Sequence, residues 1–186
     1  MQVILNKSAL LSIILASVET FKKECLLILL GKWGKRGFIV EHAAHMENTR
    51  RKSTEVDPEQ KAWNRINSVA SCLFKNIKIL GDCHSHTEPY DPERDPKYDP
   101  QKSKLCYDLR PSKADIEDAE AGNIYIIARI TTKKRRERWR RTKRNTVLGT
   151  LDKYRFELKA FCAPKDCKLK SIPLSCPSAY RLKDGA

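Results

Sequence analysis

Residues 76–86 read NIKILGDCHSH, and the organisation of the whole chain follows from this stretch. Its apolar part, 76–83, predicts a strand whose end delivers His84, Ser85 and His86. Side chains alternate along a strand, so the two histidines leave one face and reach a common point. That is the geometry of a metal-ligand pair. Cys83 points the other way and reads as packing.

Downstream, residues 111–115 (PSKAD) predict a short helix opened by Ser112, running through SKADIEDAEAG and closing near Gly122. Asp115 lies three residues inside that first turn, from where a carboxylate faces back toward the strand end. Two imidazoles, one carboxylate and an open fourth position make a catalytic zinc site. Residues 124–130 (IYIIARI) follow as a buried strand, and 147–150 with 154–161 as a hairpin in which Tyr154, Phe156 and Leu158 alternate.

Upstream, residues 9–18 (ALLSIILASV) predict an amphipathic helix with Leu10, Leu11, Ile13, Ile14, Leu15 and Val18 on one broad face and Ser8 as its cap. The run is too short to span a bilayer. It also resembles the apolar core of a signal peptide, but the charged FKKE after it is a poor cleavage site. Residues 25–30 (CLLILL) form a strand ended by Gly31, and Gly34 and Gly37 bracket a turn into 38–40. Residues 58–74 place Ala62, Ile66, Val69, Ala70 and Leu73 at helical spacing. The order of elements predicts an α/β fold, a mixed central sheet flanked by helices.

The chain has 186 residues, which bounds it to one domain or one plus an appendage, and 40% are hydrophobic, enough for a core. Its 37 basic and 23 acidic residues leave a net charge of +14. Residues 133–144 (KKRRERWRRTKR) hold nine basic residues against Glu137 alone, so +8 of that surplus is local. A block of this kind reads as a solvated arm that steers an acidic protein, or as a nucleic-acid contact with Trp139 stacking on bases. The seven cysteines form no CxxC pair or framework, so a cytoplasmic location with free thiols is expected. Cys162, Cys167 and Cys176 match no zinc module and read as idle thiols. Glu41, His42 and His45 (EHAAH) fail as a zincin helix because the Glu precedes both histidines. Between His86 and Pro111 the chain is Pro-rich, with Asp-Pro recurring at 91, 95 and 99, which excludes helix and central strand.

Glu24 before an apolar strand, then GDCHSH, then PSKAD, resembles the JAMM (MPN+) zinc metalloprotease signature, a Glu followed by His-x-His and Ser-x-x-Asp. The resemblance covers residues 8 to about 162. It implies a single MPN/JAB-type, cytidine-deaminase-like domain over 1–162, with an insertion at 87–110, the basic block at 133–144 and a C-terminal tail at 163–186. It also implies that His84, His86 and Asp115 bind Zn2+, that Glu24 is the general base, and that Ser112 donates to the oxyanion. Relatives commonly have about ten residues between the second His and the Ser; here there are 25, an insertion of about 15. They also commonly carry aromatics where Asp82 and Cys83 stand. The implied activity is hydrolysis of isopeptide or peptide bonds to ubiquitin or ubiquitin-like modifier proteins, by a stand-alone prokaryotic or archaeal enzyme. Two alternatives are a nucleic-acid-associated protein on a RadC-like scaffold and a peptidase of small peptides or sulfur-carrier precursors.

Overall fold

The structure is a computed structural model. It describes residues 1–21, 23–46, 49–51, 56–58, 60–73, 76–86, 109–132, 135–143, 145–164 and 169–182. Most of the Pro-rich insertion, parts of the basic block and parts of the tail lie outside these residues.

The chain begins with β1 (Gln2–Leu5) and α1 (Lys7–Glu19), followed by the hairpin β2 (Leu26–Gly34) and β3 (Gly37–His45). A two-stranded ribbon, β4 (Thr49–Arg51) and β5 (Val56–Pro58), leads to α2 (Gln60–Leu73) and β6 (Lys78–His86). Then come α3 (Lys113–Glu117), β7 (Ile124–Thr132), β8 (Arg140–Arg141), β9 (Val147–Leu151) and β10 (Tyr154–Cys162). Two short strands, β11 (Lys170–Ile172) and β12 (Leu174–Ser175), end the sheet.

Ten strands make one mixed sheet in the order β12-β1-β3-β2-β6-β7-β10-β9-β8, with β11 also on β10. Part of the expected tail belongs to it. β11 pairs with the end of β10, and two residues later β12 pairs with Val3 and Ile4 of β1. The segment through Pro173 thus links two distant strands, and the sheet is nearly closed. The fold is α/β, a nearly closed mixed sheet flanked by few helices.

The two faces of the sheet are occupied differently. α1 lies on the inner face, where Leu10, Ile13 and Ile14 pack with Leu27, Leu29, Ile126 and Phe156 in the main core. α2 lies on the outer face, with Ile66 and Ala70 against Leu26, Ile28 and Leu30. β2 is therefore covered on both sides, which is why its sequence is continuously apolar. Each such fully buried side chain contributes ~1.5–3 kcal/mol. The helical faces are narrower than the spacing implied: Leu11, Leu15 and Val69 are exposed. The α1 N-cap is Asn6, with no side-chain cap bond, so Ser8 is not the cap. Gly31 does not end β2; the register shifts there and the strand continues to Gly34.

A second irregularity sets the side of the histidines. Leu29 of β2 pairs with Gly81 and Leu30 with Ile79, so Leu80 is an extra residue, a β-bulge in β6. Ile79 packs on the outer cluster and Leu80 on the inner one. Unbroken alternation from Leu80 would then put Asp82, His84 and His86 inside. The extra residue reverses the phase: Cys83 is in the inner core, and the three polar side chains face outward. Gly81 makes this possible. Its φ is +140°, and a Cβ there would sit 1.8 Å from the Ile124 carbonyl oxygen of β7.

Gly81→Ala is expected to destabilise the protein by more than ~1 kcal/mol, because backbone rather than a flexible side chain must give way. Denaturant unfolding of the variant against wild type measures it.

Candidate metal centre

The outer face at the end of β6 collects the residues that the sequence singles out. His84 and His86 are buried at the strand end, 5.1 Å apart between ring centroids. α3 brings Asp115 to them. It is seated by Ala119, which packs with Tyr125, Ile127 and Phe161, while Leu109 leans on the same cluster. The ligand atoms of His84, His86 and Asp115 all lie within 4.8 Å of one another. The cluster has the donors and spacing to bind a metal ion.

Ser112 and Asp115 form a capping box. The Asp115 N–H donates to Ser112 Oγ at 3.1 Å, and the Ser112 N–H donates to Asp115 Oδ2 at 2.6 Å. One carboxylate oxygen is therefore committed to the backbone. The other, Oδ1, faces His84 Nε2 at 3.6 Å. That distance is too long for a hydrogen bond, and His84 Nε2 is buried with no hydrogen-bond partner. A buried imidazole nitrogen left in this state beside a carboxylate fits a ligand atom awaiting a cation.

Glu24 enters from the opposite side. α1 ends where Thr20 Oγ1 donates back to the Ala16 carbonyl, and a tight turn follows in which the Lys23 N–H donates to the Thr20 carbonyl. This turn carries the chain from the inner face to the start of β2. The Ser85 N–H donates to the Cys25 carbonyl, and the Cys25 N–H donates to Ser85 Oγ, so Cys25 lies opposite Ser85. Continuing the antiparallel register puts Glu24 opposite His86, on the histidine face. Glu24 is buried, and its charge acts on His84.

Asp82, which the sequence pattern marks only as a place where relatives commonly carry an aromatic, also belongs to the site. It stands on the histidine face, its Oδ1 3.8 Å from His84 Nδ1, on the side of the ring away from Asp115. The signal was present as Asp-x-His-x-His, three polar residues at strand period. Burial works against a charged His84, but the carboxylates of Asp82, Asp115 and Glu24 outweigh it and raise its pKa to about 9. Burial likewise raises Asp82, with Asp115 and Glu120 adding to the effect and His84 opposing it. The cluster holds positive charge tightly. Cys83 stays outside it: buried on the inner face, its thiol is pushed well up.

Two other expectations meet different outcomes. His42 faces solvent, whereas His45 Nδ1 lies 3.8 Å from Glu19 of α1, so the EHAAH histidines are parted in β3. Trp139 does not stand out from the basic block. It is 5% exposed, stacked on Phe156, and pressed so closely on Gly149 that a Cβ there would lie 2.3 Å from its ring. It is part of the core and is not available to stack on bases. Among the described residues, no helix is long and apolar enough to cross a membrane.

No protein-family model and no curated protein matches the chain. Among solved structures, it is similar to a protein of Desulfitobacterium hafniense determined in solution, at 15% identity and a TM-score of 0.56, over 94% of this chain and 92% of that one. A solution structure from Salinibacter ruber aligns at 16% identity and a TM-score of 0.46, over 91% and 88% of the two chains. The first of these likenesses supports the fold across nearly the full length.

A proton occupies His84 up to about pH 9, and a divalent ion must displace it. Apparent metal affinity is therefore expected to climb about tenfold per pH unit from pH 7 to about 9. Competition against a chromophoric chelator measures the slope. His84→Ala should abolish tight binding.

Proposed function

We propose that the chain is an MPN-type, JAMM-like zinc metalloprotease that hydrolyses isopeptide or peptide bonds to ubiquitin-like modifier proteins. The observation that carries the reading is the buried, unpartnered His84 Nε2, facing the uncommitted oxygen of Asp115 with His86 in the same cluster. The donor set of two imidazoles and one carboxylate suits zinc and leaves a fourth position open. His84, His86 and Asp115 would hold the ion. Bound there, zinc supplies a water acidified toward neutrality and a Lewis acid for a carbonyl oxygen.

Glu24 is the general base: a buried carboxylate on the histidine face takes the water's proton and returns it to the leaving amine. Ser112 has two duties. Its oxygen accepts from the Asp115 N–H and so fixes the helix that presents Asp115. Its own O–H is directed to the oxyanion that develops on the scissile carbonyl, an interaction whose loss costs ~3 kcal/mol in the transition state. Asp82 faces Nδ1 of His84 and favours the tautomer that leaves Nε2 free as a ligand atom.

The purified chain is expected to hold one zinc ion and to cleave isopeptide-linked or linear modifier fusions. Glu24→Ala should lower the rate at least ~100-fold with zinc content unchanged. Metal analysis beside a gel-based cleavage assay tests both. Absence of zinc, or a Glu24→Ala variant as fast as wild type, overturns the reading.

A further inference from the structure

A row of paired residues leads away from the metal cluster on its own face of the sheet. His86 pairs with Arg129 of β7, Arg129 with Glu157 of β10, Glu157 with Leu148 of β9, and Leu148 with Arg140 of β8. All of these positions share the outward phase, since the residues alternating with them on β7 and β10 lie in the inner core. In the adjacent row Ile127 pairs with Lys159. At ~4.8 Å per strand, His86 and Leu148 stand ~14 Å apart. Over the far part of this row lies a cavity of about 440 Å³, lined among others by Arg129, Lys143, Lys159, Glu157, Leu109 and Leu148.

The lining has a definite chemistry. Three of those side chains are cationic, and the single carboxylate, Glu157, is already held by Arg155 at 2.8 Å and by Arg129 at 3.5 Å. Leu109 and Leu148 give it an apolar wall. The exposed Arg140 of β8 continues the positive surface outward along this row. The described lining has no aromatic ring, and Trp139, the one aromatic of the basic block, is buried.

We propose that this groove binds an acidic polypeptide segment of the substrate, its carboxylates on Lys143, Lys159 and Arg129 and an apolar side chain on Leu109 and Leu148. The inference rests on the metalloprotease reading for what lies at its inner end. It makes the positive surface a substrate track that starts at the metal ligands. Substrates with alternating acidic and apolar residues within a few positions of the scissile bond are then preferred.

The test uses the full chain loaded with zinc and a fluorescein-labelled decapeptide of alternating Asp and Leu, read by fluorescence anisotropy. Its Asn-Leu twin and a single-stranded DNA of about 20 nucleotides serve as comparison probes. The acidic peptide should bind at least about tenfold tighter than its twin, with affinity falling as salt rises. Lys143→Glu with Lys159→Glu should weaken it about tenfold or more, leaving zinc content unchanged. Lys143→Glu alone, on the exposed hairpin, should weaken it about threefold and covers the case in which the double variant fails to fold. Equal binding of the twin, or insensitivity to both variants, overturns the proposal. Tighter binding of the DNA with the same dependence on Lys143 overturns it in favour of a nucleic-acid track. Groove-dependent peptide binding by a chain that takes up no zinc would keep the groove and sink the metalloprotease reading. Zinc-dependent cleavage that ignores both lysines would do the reverse.

Discussion

The extra residue at Leu80 is the constraint on which the rest of the site depends. A strand has only two faces, and a shift of one residue exchanges them. Without the bulge, Asp82, His84 and His86 would point into a space already filled by Leu10, Ile13 and Ile14 of α1. Three buried polar groups without partners would be incompatible with that core. The bulge is in turn conditional on Gly81, because β7 approaches so closely that no side chain fits between its Ile124 carbonyl and β6. The parallel pairing of β6 with β7 places Arg129 beside His86, and so the groove depends on the same glycine.

Electrostatics explain why the cluster favours a cation. Asp82, Asp115 and Glu24 all act on His84. Carboxylates gathered in a buried place repel one another unless positive charge is shared among them. A proton on His84 meets that need in part, which is why it is held to about pH 9. The capping box adds a geometric limit. With Oδ2 engaged by the Ser112 N–H, the carboxylate cannot turn away, and Oδ1 stays aimed at the imidazole. The Ser-x-x-Asp spacing therefore serves two ends at once: it starts a helix of five residues, too short to persist by its own propensity, and it fixes a carboxylate oxygen toward His84.

Much of this was legible in the sequence. The strand ending in His-x-His, the Ser112 cap, the central β2 and the hairpin at Gly34 and Gly37 each carry a local signal, periodicity or turn chemistry, and each formed. That the histidines face away from Cys83 follows from alternation within the strand, whereas the side they take is set by the extra residue at Leu80. What escaped has no local signature. β1, β11 and β12 are strands of two to four residues that exist only because distant partners pair with them. Leu11, Leu15 and Val69 read as core by periodicity, yet each helix meets the sheet along a narrower stripe than its apolar composition allows. Asp82 is visible in the sequence as Asp-x-His-x-His, but its meaning lies in the 3.8 Å between its carboxylate and a ring two residues on.

Trp139 shows how far tertiary context alters the meaning of a charge run. Flanked by Arg138 and Arg140, it sits in a segment that composition alone assigns to solvent or to nucleic acid. Gly149 leaves room on β9 for the indole, which enters the core beside Phe156 and anchors the segment to the sheet. Glu137, the one acidic residue in the run, strengthens that anchor through Arg155 at 2.5 Å. Its carboxyl is held below the usual range by that guanidinium. The arginines of β8 are thus held along a fixed edge. An edge strand of exposed arginines resists pairing with another sheet. Because the same edge ends the outward row that runs from Arg140 back to His86, its charge is also directed: an anionic chain drawn to it by long-range attraction would meet the face on which His84, His86 and Asp115 cluster.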